Sequence, residues 1–261
     1  MTISPLPCAS LLLGCALLCS SAYGRQASDQ NQNSSGQAQN PPSNPITQQQ
    51  QQAAENAQNP DKNPPEGVSK DRLFYALPNF LTLENSGQVP PLTTKEKFKV
   101  VAKGSFDYIQ LPWYASLAAA SQAQNGEAGF GQGAAGYGKR FGAYFADGTI
   151  ENFMTGAILP SLLREDPRYF QSGKGSFTHR TEYAISRIFV TRTDSGHSHF
   201  NFSEILGSAL ASGISTYSYH PHADRTLPNT LSVWGTQVGY DTITLVVKEF
   251  WPDIRRKMTK H

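Results

Sequence analysis

Small residues recur four apart in three separate stretches of the chain: Gly138, Gly142 and Ala146; Gly207 and Ala211; Gly235 and Gly239. That interval puts each set on one face of an α-helix. Glycine inside a helix costs about 1 kcal/mol relative to alanine, so a helix that keeps several has a packing reason. A face without bulk admits another backbone closely, the small-xxx-small arrangement of membrane helices. Strict alternation of apolar and polar residues is scarce. The pattern predicts an all-α fold, a helical bundle held by Gly/Ala helix packing. An outer-membrane β-barrel needs many alternating segments of about ten residues, and the chain does not offer them.

The first quarter stands apart. Thr2 to Leu18 is uncharged and largely apolar, and Ala22-Tyr23-Gly24 supplies small residues for cleavage, which reads as a signal peptide over 1–24. No Lys or Arg precedes Arg25, so the segment lacks the usual basic start. An alternative takes Leu12-Leu13-Gly14-Cys15 as a lipobox with Cys15 lipidated. All three cysteines (Cys8, Cys15, Cys19) fall inside this segment, so the exported part folds without disulfides or thiolate metal sites. Residues 25–70 are rich in Gln, Asn, Ser and Pro and bury too little apolar surface to offset the entropy of ordering, which predicts a disordered linker. The helical domain is expected over 71–261.

Within that domain, Leu73 to Leu83 is interrupted by Pro78 and reads as an extended arm. Thr93-x-x-Glu96 has the form of a capping box and opens a helix that breaks near Gly104. A second helical piece runs from Pro112 to Ala123, and a long one from Ala134 to Leu163. Glu165 to Phe170 forms a corner around Pro167. Ser176 caps a helix that ends in the loop Thr193 to His199. Asn201 and Glu204 cap the next, whose apolar residues run from Ile205 to Tyr217. His220 and His222 flank Pro221 in a solvent-exposed loop, and the last helix closes at Trp251-Pro252 before the basic tail Arg255-Arg256-Lys257.

Two windows approach membrane-spanning length. Residues 141–163 contain Asp147 and Glu151, and 233–250 contain Asp241, Lys248 and Glu249. A central Asp costs about 2.5 to 3.5 kcal/mol on insertion, which argues against independent spanning. Peripheral association, or a bundle with its polar groups turned inward, stays open. Lys plus Arg is 22 against 20 for Asp plus Glu, a balance without the strong field that nucleic acid binding uses.

Two groups of residues have chemical capacity. Asp147 and Glu151 share a helix face with Tyr144, and Asp241 lies on the stripe of Trp234, Val238 and Leu245. If turned inward they form an interior polar site with Arg140 or Arg187, or else ion pairs that fix helix register. Arg168 pairs with an acid across the corner. The second group is the loop carrying Asp194, His197 and His199, with Glu204 following. Imidazole and carboxylate make a ligand set for a divalent metal, although the spacing matches no helical metal motif and no G-x-S-x-G elbow is present for Ser195 or Ser198. No cofactor is specified by any motif.

The segments Glu165-Asp166-Pro167-Arg168-Tyr169-Phe170, Thr191-Arg192-Thr193-Asp194-Ser195-Gly196-His197 and Lys248-Glu249-Phe250-Trp251-Pro252-Asp253-Ile254 resemble those of a group of uncharacterised exported bacterial proteins. The resemblance spans roughly 71–254 and implies export without implying an activity. The expectation is a non-enzymatic protein of the periplasm or cell envelope, whose helices pack with one another, with a membrane or with an envelope protein partner. The alternative is an envelope hydrolase or metal protein using the 194–199 loop. A third reading is a small-molecule binding module, with a cavity between helices and Asp147 or Asp241 at its wall.

Overall fold

The computed structural model describes residues 68–74, 76–84 and 89–259. They belong to one compact unit, Ala53–His261. The expected signal peptide, its cysteines and most of the expected linker lie outside the described residues.

The described chain is mostly helical, as the spacing predicts. After the short strands β1 (Arg72–Leu73), β2 (Leu77–Pro78) and β3 (Thr82–Leu83) come helices α1 (Thr94–Ser105) and α2 (Gln110–Ala123). A long helix follows in three parts: α3 (Gly133–Phe153), a π-helical turn (Met154–Ile158) and α4 (Leu159–Leu163). Then come β4 (Glu165–Asp166), β5 (Tyr169–Phe170), α5 (Phe177–Ser186), β6 (Val190–Thr193), β7 (Ser198–Phe200), α6 (Phe202–Ser218) and α7 (Leu227–Met258).

Local chemistry explains most helix starts. Thr93 and Glu96 make the reciprocal capping box of α1. Ser176 accepts from the His179 amide at α5, Asn201 from the Glu204 amide at α6, and Thr226 from the Asn229 amide at α7.

Several expectations need correction. The 165–170 corner is built of two strand segments, β4 pairing with β6 and β5 with β3. The 193–199 loop is a β-hairpin, because Gly196 adopts φ +87° and lets the chain reverse between β6 and β7. The 134–163 helix is not regular: its π turn sits where Gly156 meets Val101 and where Gly207 of α6 approaches Met154 and Thr155. The last helix does not close at Pro252 but continues to Met258. A proline in a helix deprives the carbonyl four residues back of its donor. Here the Lys248 carbonyl accepts from the Gln171 amide, and Arg180 Nη2 donates to the Glu249 carbonyl at 2.5 Å.

Two of the three small-residue faces are the largest departure. A Cβ placed on Gly138, Gly142, Gly235 or Gly239 would meet nothing within 4 Å, so these glycines face open space. Close approach occurs at Gly207 against the π turn, as the spacing predicts, and also at Gly148 against Tyr114 and at Gly156 against Val101.

The core is thin in large apolar residues. Trp251, Ile188, Ala118, Ala157, Ala184 and Ala211 are buried, but so are Lys97, Arg140, Glu165, Asp166, Arg168, Glu249 and, on α6, four serines and one threonine. Trp251 anchors the N-terminal arm through a 2.7 Å hydrogen bond from its indole to Asp71 and a ring contact with Phe74.

Candidate functional site

The 194–199 segment does not gather its ligands. Asp194 is held by Lys97 Nζ at 2.8 Å, and that buried ammonium also donates to the carbonyls of Glu165 and Pro160. His197 Nδ1 lies 3.1 Å from Ser195 Oγ on the exposed hairpin turn. His199, 42% exposed, reaches Glu165 Oε1 at 3.2 Å, while the other oxygen of Glu165 accepts from the Ser203 amide. Glu204 points into the bundle, toward Asp241. The four residues thus have four different partners, and among the described residues no group of three or more His, Cys, Asp or Glu is placed to hold a metal ion. Ser195 meets His197 and not the acid-linked His199, so no nucleophile, base and acid line up in sequence.

The interior acids do come inward, in two clusters. Asp147 of α3 accepts from Ser215, from Tyr219 at 2.5 Å and from His220 Nε2 at 3.2 Å. His220 Nδ1 lies 2.9 Å from Glu127. This corrects the expectation of an exposed histidine: His220 is 4% exposed, clamped between two carboxylates. Burial alone would lower its pKa, but the hydrogen bonds to Asp147 and Glu127 outweigh that and hold it up at about 9. Glu127 itself has a left-handed backbone, φ +49°, between α2 and α3. Arg140 serves this same loop, donating to the carbonyls of Gly126, Glu127 and Gly131, and does not pair with Asp147.

The second cluster joins Glu151, Glu204, Asp241 and Lys248. Burial, then the charges of Asp241 and Asp147, push Glu151 up to about 9. Burial, then the charges of Asp241 and Glu151, raise Glu204 well above the usual carboxylate range. Burial also raises Asp241, against the pull of Lys248, and lowers Lys248. Glu204 and Asp241 share a side-chain hydrogen bond, which requires a proton between them. One oxygen of Glu151 and one of Glu204 are enclosed without a hydrogen-bond partner. Arg187 does not enter this cluster; its guanidinium lies over the Tyr183 ring.

Arg168 and Asp166 form a buried ion pair at 2.6 Å across the β4–β5 corner, as expected, and Arg168 also donates to the Pro90 carbonyl. Glu249 is a buried acceptor that sequence reasoning passed over. It takes hydrogen bonds from Tyr169, the Ser172 and Gly173 amides and Arg180, tying the β5–α5 loop to α7. A cavity of about 260 Å³ lies within this region, lined among others by Val101, Ser105, Ser203, Glu204, Asp241 and Lys248.

The outer side of the bundle has the opposite character. From Ile205 to Ser218 α6 carries no Asp, Glu, Lys, Arg or His, and neither does α7 from Leu227 to Tyr240. On α6, Leu206, Leu210, Ile214 and Tyr217 are exposed, while Gly207, Ser208, Ala211, Ser212, Ser215 and Thr216 are buried. Three of the buried hydroxyls are satisfied within the protein: Ser208 and Ser212 donate to carbonyls four residues back and Ser215 donates to Asp147, while Trp234 of α7 donates to Ser208 and the Thr216 hydroxyl is enclosed without a partner. On α7, Leu227, Leu231, Tyr240 and Ile243 are exposed beside the open Gly235 and Gly239. Among the described residues no helix is long and apolar enough to cross a membrane.

Comparison with known proteins finds no matching family model, no match among curated proteins and no matching solved structure. The reading of function therefore rests on the geometry of this chain.

Proposed function

We propose that the chain is a non-enzymatic cell-envelope protein whose helical domain docks on a membrane, with the uncharged outer faces of α6 and α7 against the acyl region. The observation that carries this reading is the inverted polarity of α6, with serines and threonine inward and leucines and isoleucine outward. A helix on the surface of a globular protein faces its apolar stripe to the core and its charged residues to water. Contiguous exposed apolar surface marks an interaction site.

Two features favour lipid over a protein partner. Protein interfaces carry a polar rim and about one hydrogen bond per 100–200 Å², whereas the outer face of α6 presents Leu, Ile and Tyr along about 21 Å, from Ile205 to Ser218, without an Asp, Glu, Lys, Arg or His. At the far end of α7, the exposed Arg256 and Lys257 suit anionic headgroups. The buried acids do not oppose docking, because they face the bundle interior, where hydrogen bonds and shared protons hold them.

Fractionation of the native host's envelope tests this reading. The protein is expected to stay with the membrane pellet through a high-salt wash, because apolar contact is not screened by salt. Recovery in the soluble fraction before any wash would contradict it. Retention in native membranes without binding to protein-free vesicles would point to an envelope protein partner instead.

A further inference from the structure

The cavity bounded by α1, the π turn, α6 and α7 has walls of two kinds. Glu204 of α6 with Asp241 and Lys248 of α7 contribute charge, while Val100, Val101 and Leu245 contribute methyl groups; of the lining arginines, Arg168 is paired with Asp166, and Arg187 and Arg192 lie over the Tyr183 and Phe170 rings. Ser105 and Ser203 also line it, are 2% and 3% exposed, and leave their hydroxyls without partners. Glu204, which also lines the cavity, has a third unpartnered oxygen, Oε1. Buried polar atoms without partners are uncommon in native proteins and call for a bound group to complete them.

We propose that this cavity binds a small primary alkylammonium ligand, its ammonium held by Glu204 and Asp241 with the Ser203 hydroxyl, and its alkyl chain laid along Val100, Val101 and Leu245. The sign follows from local charge. Where α6 meets α7, the adjoining carboxyl groups of Glu204 and Asp241 face one lysine ammonium, that of Lys248, and share a proton between them. A ligand cation takes the place of that proton. The unpartnered atoms are carboxylate and hydroxyl oxygens, all able to accept, and an ammonium group supplies three donors. A divalent metal fits less well, since no group of three acidic or imidazole ligands converges among the described residues. The volume, about 260 Å³, lies just under the usual range for ligand pockets and suits a small molecule. The π turn beside Thr155 and Gly156 is consistent with a binding role, since π turns concentrate at functional sites. This site does not depend on the membrane docking proposed above, and either reading can fail alone.

The test is isothermal titration calorimetry on the full chain with n-butylammonium chloride. n-Butanol serves as the uncharged control of the same length, and tetramethylammonium chloride as a cation without N–H donors. n-Butylammonium is expected to bind at least ten-fold more tightly than either control. Glu204→Gln, which keeps the shape and removes the charge, is expected to weaken it at least ten-fold, while Lys139→Gln on the exposed side of α3 leaves it unchanged. Equal affinity for n-butylammonium and n-butanol, no binding of n-butylammonium at all, or an unaltered affinity in Glu204→Gln would overturn the proposal. If Glu204→Gln does not fold, the comparison of the three ligands on the wild-type chain decides alone.

Discussion

Two sides of one helix, α6, obey opposite rules. Ala211 is 1% exposed and packed among buried serines, while Leu210, its neighbour in sequence, is 52% exposed. Burying a leucine side chain stabilises by about 1.5–3 kcal/mol, yet the fold spends its interior on Ser208, Ser212, Ser215 and Thr216. What the inner side gains is a set of polar partners: Asp147 is held by Ser215, Tyr219 and His220, and α7 is joined to α6 through Trp234 and Ser208. The inner side therefore decides stability. The outer side contributes little to it and, in the function proposed above, is the side that meets the membrane.

Substitutions on the two sides should separate accordingly. The largest loss is expected from Asp147→Ala, which strands the buried His220, Tyr219 and Ser215 donors at once. Unmet buried polar groups cost about 1–3 kcal/mol each, so urea unfolding should show a loss of about 4 kcal/mol. A loss below about 1 kcal/mol would mean that the inner network does not carry the fold.

The same cluster sets a pH dependence. His220 is held charged in the folded chain with a pKa near 9, above its ordinary 6.5. Its contribution is thus fully present below about pH 6.5 and is lost as pH rises through 9. Thermal unfolding should show falling stability between pH 7 and 10, and His220→Asn should flatten that slope. An unchanged slope in the variant would remove His220 as its source.

Smaller effects distinguish the glycines. Gly207→Ala is expected to destabilise by about 1 kcal/mol, because the added methyl meets Thr155 at 3.0 Å and the Met154 backbone at 3.3 Å. Gly235→Ala, facing open space, is expected to stabilise by up to about 1 kcal/mol through helix propensity alone. Opposite signs in chemical denaturation would confirm the two classes. Least of all, Leu210→Glu should change the stability of the free protein by no more than about 0.5 kcal/mol.

These contrasts also show which features were legible in the sequence. Helix starts at Thr93, Ser176 and Asn201 could be read directly because a cap and its amide lie three residues apart. Helical spacing put Asp147 and Glu151 on one face and Asp241 on an apolar stripe, but left open whether they turn inward. The burial of His220 could not be read, since Glu127 and Asp147 come from remote elements and nothing near Pro221 signals them. Pro252 looked like a helix end because Gln171, whose amide takes over the freed Lys248 carbonyl, is distant in the chain. The four-residue spacing of Gly235 and Gly239 was visible, but spacing alone does not say whether a helix, a lipid or water occupies the open face. The expected gathering of Asp194, His197, His199 and Glu204 failed because the β6–β7 hairpin and the start of α6 aim these neighbours apart, with Lys97 and Glu165 as competing partners.

The central claim, that the outer faces of α6 and α7 are built to meet lipid, is tested most directly by flotation of the full chain with phosphatidylcholine and phosphatidylglycerol vesicles. Wild type is to be compared with the Leu210→Glu, Ile214→Glu double variant. Each exposed side chain withdrawn from lipid should forfeit about 2 kcal/mol, roughly thirty-fold in partitioning. The wild type should therefore float with the vesicles, and the double variant, folded and of unchanged thermal stability, should remain at the bottom of the gradient. Equal flotation of the two proteins, or none by the wild type, would contradict the claim.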